Sequence, residues 1–333
     1  MRRAREAFAH RSRLKVHGLL LLDKPRGLSS NAALQRARRL LDADKAGHGG
    51  TLDPLADGLL PLLFGEACKL AGTALDGDKA YEAVVRLGQV TTTDDAEGEV
   101  VASSPVSFDD ARLAAALADL RGPIEQVPPV YSALKVQGKA LYRHAREGRP
   151  VQPAPRRVTI HEFTLLARSG GEAPTLTLRV ACSKGTYIRS LARDLGAALG
   201  CGGHLAALRR TAVGRYHVTY AVGLDALEAM SPAERSALLI PLESLVADWA
   251  HATLEAAEVR AFRQGQAVAI DVGRMRPGPP AAEADGDPIR DGRIAVCHEG
   301  RLVGFGRFRA ESPSVGTLAP VRVFEERPPA AGR

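Results

Sequence analysis

The sequence predicts an α+β protein with a mixed sheet and a small β-rich C-terminal part. Two observations carry that expectation. Through the first 245 residues, strand-like and helix-like segments alternate irregularly, with no strict βαβ repeat and no GxGxxG after a strand, which disfavours a doubly wound sheet. After Trp249 the texture changes to short β-like runs, Gly292 to His298, Leu302 to Arg309 and Val321 to Phe324, separated by turn residues. At 333 residues the chain exceeds a usual domain of roughly 100–200 residues, so two domains are the default.

The elements follow in order. Folded structure is expected from about Val16, with Gly18 to Leu22 as a short buried strand ending in a Lys-Pro-Arg-Gly turn. Ser30 is positioned to cap a helix whose apolar residues Ala33, Leu34, Ala37, Leu40 and Leu41 recur at helical spacing. Ala80 to Leu87 reads as a strand. Beyond the acidic turn Asp94-Asp95, Ser107 is the candidate cap of a helix from Asp109 to Leu120, with Leu113, Leu117 and Leu120 on one face. Thr175 to Cys182 alternates Leu176, Leu178 and Val180 with other side chains, the pattern of a half-buried strand. Ile188, Leu191, Ala192, Leu195 and Leu199 then form one helical face, and Gly200 suits a left-handed end. Met275 to Gly292 is rich in Pro, Gly, Ala and Asp and reads as a loop insertion; Pro328 to Arg333 should fray.

A net charge of +7 and a pI near 9.4 favour an anionic partner, nucleic acid first. Residues 1–15 carry Arg2, Arg3, Arg5, Arg11, Arg13 and Lys15 with few large apolar groups, as a solvated or RNA-touching tail would. Between Lys135 and Arg157, seven lysines and arginines face a single acid, Glu147. Such one-sided charge, interleaved with Pro, Gly and Tyr142, reads as a mobile loop for phosphate; a solvated surface loop is the plainer alternative. Cys68, Cys182, Cys201 and Cys297 are scattered, with no CxxC and no zinc-ligand spacing, so reduced thiols and no metal are expected. With no membrane-spanning stretch and only Leu19 to Leu22 as an early apolar run, a cytoplasmic location is expected.

The most informative stretch is Gly47-His48-Gly49-Gly50-Thr51-Leu52-Asp53-Pro54-Leu55-Ala56-Asp57-Gly58-Leu59-Leu60-Pro61. It presents one carboxylate, Asp53, from a glycine-hinged turn that runs into an apolar segment, and Pro54 biases Asp53 away from helix. An Asp-Pro turn by itself is ordinary turn chemistry. The full string closely resembles the catalytic loop of the TruB-type tRNA pseudouridine synthases. Three further segments resemble that family in the same order: Lys24-Pro25 in Leu22 to Gly27, Asp78-Lys79-Ala80-Tyr81, and Ser183-Lys184-Gly185-Thr186-Tyr187-Ile188-Arg189. The resemblance spans about Val16 to Leu245. His251 to Glu326 is similar, more weakly, to a PUA domain. The implied division is a basic tail (1–15), a pseudouridine synthase catalytic domain (16–248, with a basic insertion at about 127–157) and a PUA-like RNA-binding domain (249–327).

The resemblance implies isomerisation of uridine 55 in the T arm of tRNA, without cofactor, by a monomer. Breaking C1′–N1, turning the uracil and rejoining it through C5 is redox-neutral, and requires the base to be extruded from its stack. One carboxylate suffices, either attacking C1′ or taking a proton from C2′. In a dry pocket it requires a cationic partner, and the resemblance gives Arg189 that place. It gives Tyr81 and Tyr187 the aromatic faces that hold the loose ring, since stacking is worth roughly 1–3 kcal/mol per base and tolerates rotation. Leu208, in Leu208-Arg209-Arg210-Thr211, is implied as apolar wall, His48 as a wedge in the RNA, and Lys69 and Asp95 as polar neighbours of the site. Asp57 stands where relatives often carry a small or hydroxyl side chain, and no role is attached to it. Lys135, Lys139, Arg143 and Arg146 are expected on phosphates. Three alternatives stand beside this: a guide-RNA-dependent synthase of the same family, a non-catalytic tRNA-binding or folding protein, and a glycoside hydrolase. The last needs two carboxylates about 5–10 Å apart and tryptophan-rich sugar platforms, whereas Trp249 is the single tryptophan.

Overall fold

The computed structural model describes residues 14–75, 77–132, 134–136, 138–149, 151–278 and 293–325. Most of the basic N-terminal tail and most of the Met275 to Gly292 insertion therefore lie outside the described residues.

The strand Gly18–Lys24 explains the architecture. Leu19 to Leu22 are all buried because neighbouring side chains point to opposite faces of a sheet and both faces are covered. Leu20 and Leu22 join a core with Ala33 and Leu34 of the helix Ser30–Leu40 and Leu191 and Leu195 of the helix Ile188–Leu199. Leu19 and Leu21 pack on the other side with Leu302, Phe305 and Phe324 from the C-terminal part. The continuous apolar run thus records two covers, and the two parts of the molecule share one core.

The large sheet runs in the order Val222–Gly223, Gly18–Lys24, Ala56–Phe64, Gly203–Val213, Lys79–Leu87, Thr175–Cys182, Arg156–Ser169, Gly122–Gln126. It is mixed, as expected. Ala56–Phe64 pairs antiparallel with Gly18–Lys24 but parallel with Gly203–Val213, through Leu208 opposite Ala56, Arg209 opposite Asp57 and Arg210 opposite Gly58. The C-terminal sheet orders Val268–Asp271, Val315–Val323, Arg301–Ala310, Arg293–His298, His251–Thr253 and Met275–Arg276, and the helix Ala256–Arg263 packs Val259 and Phe262 against it.

Two helix starts differ from expectation. Ser29, not Ser30, caps the first helix, its hydroxyl accepting from the Ala32 N–H at 3.1 Å, because the Ser30 hydroxyl is turned inward to Leu52. Asp109, not Ser107, caps the helix Asp110–Asp119, its carboxylate accepting from the Arg112 N–H at 2.7 Å. The basic segment is more ordered than a loop: Lys135–Val136 and Lys139–Ala140 form a hairpin that leads into the helix Leu141–Arg146.

Candidate active site

Asp53 lies just before the strand Ala56–Phe64, on a loop that Gly50 turns with φ of 89°. Its backbone carbonyl accepts from the Ala56 N–H at 3.1 Å, and the next carbonyl, of Pro54, accepts from the Gly27 N–H at 2.8 Å. The carboxylate faces outward, 44% exposed, with Oδ2 2.9 Å from the guanidinium of Arg189. Arg189 itself is nearly buried in the first turn of the helix Ile188–Leu199. The same guanidinium reaches inward to Asp95, 3.4 Å away and 4% exposed, and donates to the carbonyls of Thr93 and Tyr131 at 3.2 and 2.9 Å. Asp95 is fixed in turn by the Thr93 hydroxyl at 2.5 Å and the Glu97 N–H at 3.0 Å. A planar fork held on four sides has one orientation, and it aims the Asp53 carboxylate. Glu97 adds a third carboxyl, pushed up by burial and then by Asp95 and Asp53.

Tyr81 projects from Lys79–Leu87 and pairs across the sheet with Arg210 of the central strand. It is 6% exposed, and burial pushes its hydroxyl up to about 12 against the opposing pull of Arg210. Tyr187 immediately precedes the helix that carries Arg189. Its backbone is held in both senses by the buried Gln126 amide, which accepts from the Tyr187 N–H at 2.7 Å and donates to its carbonyl at 3.1 Å. The Tyr187 ring faces the Arg156 guanidinium at 6.0 Å. Leu208, half-buried, lies on the central strand opposite both Ala56 and Ala83. His48 ends the short strand Ala46–His48, and its imidazole is pushed below the usual range by burial and then by Arg210. Its Nδ1 is buried without a hydrogen-bond partner among the described residues.

Lys69 is not brought to this group. It sits in the Gly65–Leu70 turn of helix, beyond the far end of Ala56–Phe64, and that strand alone separates its two ends by about 25 Å at roughly 3.3 Å per residue. Its ammonium donates to Glu66 at 2.7 Å and to the Val323 carbonyl at 2.8 Å, and Glu66 also accepts from the Glu325 N–H at 2.9 Å. Lys69 therefore ties the end of the large sheet to the C-terminal sheet. Of the basic-segment residues, Lys135 and Arg143 are exposed, Lys139 pairs with Glu147, and the Arg146 side chain lies outside the described residues. Among the described residues no three metal-ligating side chains gather at one point.

Reading the sequence missed Ser30, Gln126 and Arg210, all buried and all bonded to backbone around the site. Arg210 left a signal. In a strand, Arg209 and Arg210 must point to opposite faces, and Arg210 shares its face with Leu208.

These elements occur in a recognisable order along the chain. Residues 38–188 match the model of the TruB family pseudouridylate synthase (N terminal domain), and residues 189–247 that of the tRNA pseudouridylate synthase B C-terminal domain. A protein of Cupriavidus pinatubonensis named tRNA pseudouridine synthase B is 58% identical, covering 93% of this chain and 95% of its own. One of the same name from Aromatoleum aromaticum is 50% identical, covering 96% of each. The chain belongs to the TruB family of pseudouridylate synthases. In fold it is similar to a chain of a Cbf5-Nop10-Gar1 complex, with a TM-score of 0.65 over 93% of this chain and 85% of that one at 24% identity. A chain in the structure of an H/ACA RNP bound to a substrate RNA containing 2′-deoxyuridine gives 0.64, with 93% and 86% covered at 22% identity.

Proposed function

We propose that this protein converts uridine 55 in the T arm of tRNA to pseudouridine, without a cofactor and as a cytoplasmic monomer. The observation that carries the reading is the Asp53 carboxylate, set 2.9 Å from Arg189 on an open loop with Tyr81 and Tyr187 on adjoining elements. Relatives named tRNA pseudouridine synthase B, at 50–58% identity over nearly the whole chain, support tRNA as the substrate. Asp53 acts at the ribose while C1′–N1 opens and N1 keeps the bonding pair; the detached uracil turns between the aromatic faces, C1′–C5 forms, the C5 proton leaves to solvent and N1 takes up one in exchange. Arg189 keeps the carboxylate aimed throughout. The exposed Lys135 and Arg143, with Lys139 and Arg146, supply phosphate contacts from the basic segment, and residues 249–327 act as a PUA-like RNA-binding domain.

The test uses unmodified tRNA carrying tritium at uracil C5, whose release follows C–C bond formation. Release from wild-type tRNA, and none above background once uridine 55 is replaced by cytidine, is the expected pair of results. Undiminished release from the cytidine-55 transcript would remove the site assignment.

A further inference from the structure

Below Asp53 lies a buried cation that the reaction as described does not use. Arg210 is 1% exposed on the central strand, and among the described residues no carboxylate pairs with it. Burying an uncompensated guanidinium is costly, so its hydrogen bonds say what holds it there. Its Nε donates to the Leu59 carbonyl at 2.8 Å, its Nη2 to Gly50 at 3.2 Å and its Nη1 to Thr51 at 3.4 Å. The next residue, Leu52, is held by a second side chain. The Ser30 hydroxyl, 2% exposed, accepts from the Leu52 N–H at 2.7 Å and donates to the Leu52 carbonyl at 2.8 Å. With Asp53 and Pro54 bonded to Ala56 and Gly27, every carbonyl from Gly50 to Pro54 is held. Gly58 completes the fit, since a Cβ there would overlap the Arg210 backbone and push the strand away.

We propose that Arg210 and Ser30 are positioning residues for the isomerisation, fixing the backbone of residues 50–54 so that the Asp53 carboxylate meets both Arg189 and the reacting sugar. A planar fork of fixed donors spans three carbonyls, Leu59 from Nε and Gly50 and Thr51 from the two Nη, and the single nitrogen of a lysine does not reproduce that spread. The inference rests on Asp53 acting on the uridine, so the experiment separates the two claims. Single-turnover rates and tRNA dissociation constants are measured for wild type, Asp53→Asn, Arg210→Lys and Ser30→Ala, each well below its own melting temperature. Turnover by wild type and none by Asp53→Asn establishes the reading for Asp53 without reference to Arg210. Arg210→Lys then lowers the rate about 10²-fold and Ser30→Ala about 10-fold, the scale of a small misplacement of a reacting group. Both keep tRNA affinity within about twofold, since neither touches phosphate. Should Arg210→Lys fail to fold, Ser30→Ala decides alone. A rate within about threefold of wild type in a folded variant, or affinity falling in step with rate, overturns the proposal.

Discussion

Among the described residues Arg189, Arg193 and Arg209 each stand between two aspartates, and the contrast lies between Arg209 and Arg189. Arg209 binds Asp23 at 2.7 Å and Asp57 at 2.6 Å, stitching three neighbouring strands, and all three side chains are about equally exposed. Arg189 instead lies between a buried acid, Asp95, and a half-exposed one, Asp53, on a loop. In the first cluster every partner belongs to the sheet, so the charges hold strands together. In the second, Asp95 and two carbonyls fix the guanidinium from within, and the outer acid remains at the surface, where the proposed reaction needs it. Asymmetric burial of the partners, rather than the presence of an ion pair, separates a site from a clamp.

Removing each arginine should break the comparison most visibly. Arg189→Met strands the Asp95 carboxylate and should cost about 3–5 kcal/mol as well as all detectable turnover, whereas Arg209→Met in the solvent-screened clamp should cost about 1 kcal/mol. Equal losses in denaturant titrations would erase the distinction. Arg189→Lys keeps the charge and loses the fork, so stability should fall less while single-turnover rate drops about 10²-fold. Neutralising Lys135, Lys139, Arg143 and Arg146 together should leave both clusters intact and flatten the salt dependence of tRNA binding by roughly 3 log units per log unit of salt, at about 0.7–0.9 per phosphate contact. An unchanged slope would take that segment out of the interface. The smallest effect concerns His48, which burial and Arg210 hold below its usual range. The unfolded chain takes up that proton near pH 6.5 while the folded one resists it, so stability should decline as pH falls from about 6.5 towards the lower folded value. A His48 ring resonance titrating at or above about pH 6.5 by NMR would contradict this.

Much of this was legible in the sequence because local patterns matched tertiary needs. Ile188 to Leu199 kept one apolar face and ended at Gly200, whose φ is 81°. The alternation in Thr175–Cys182 survived for the same reason. Ser29 and Ser30 show where local reading stops: both are competent caps, and the choice fell to Ser29 because Leu52, distant in sequence, occupies the Ser30 hydroxyl. Lys69 shows it again. Its likeness to a family position spoke of the site, but the strand that precedes it carries it to the C-terminal sheet. Arg210 could be sensed from strand alternation, yet two of its carbonyl partners, Gly50 and Thr51, come from a loop that only the fold brings near.

The most direct test compares the outer acid of the site with its counterpart in the clamp. Tritium release from C5-labelled tRNA, with tRNA affinity measured in parallel, should be abolished in Asp53→Asn and largely retained in Asp57→Asn, both binding tRNA like wild type. Release by Asp53→Asn at a rate near that of wild type, or an affinity lost together with its activity, would contradict the assignment of Asp53 as the reacting carboxylate.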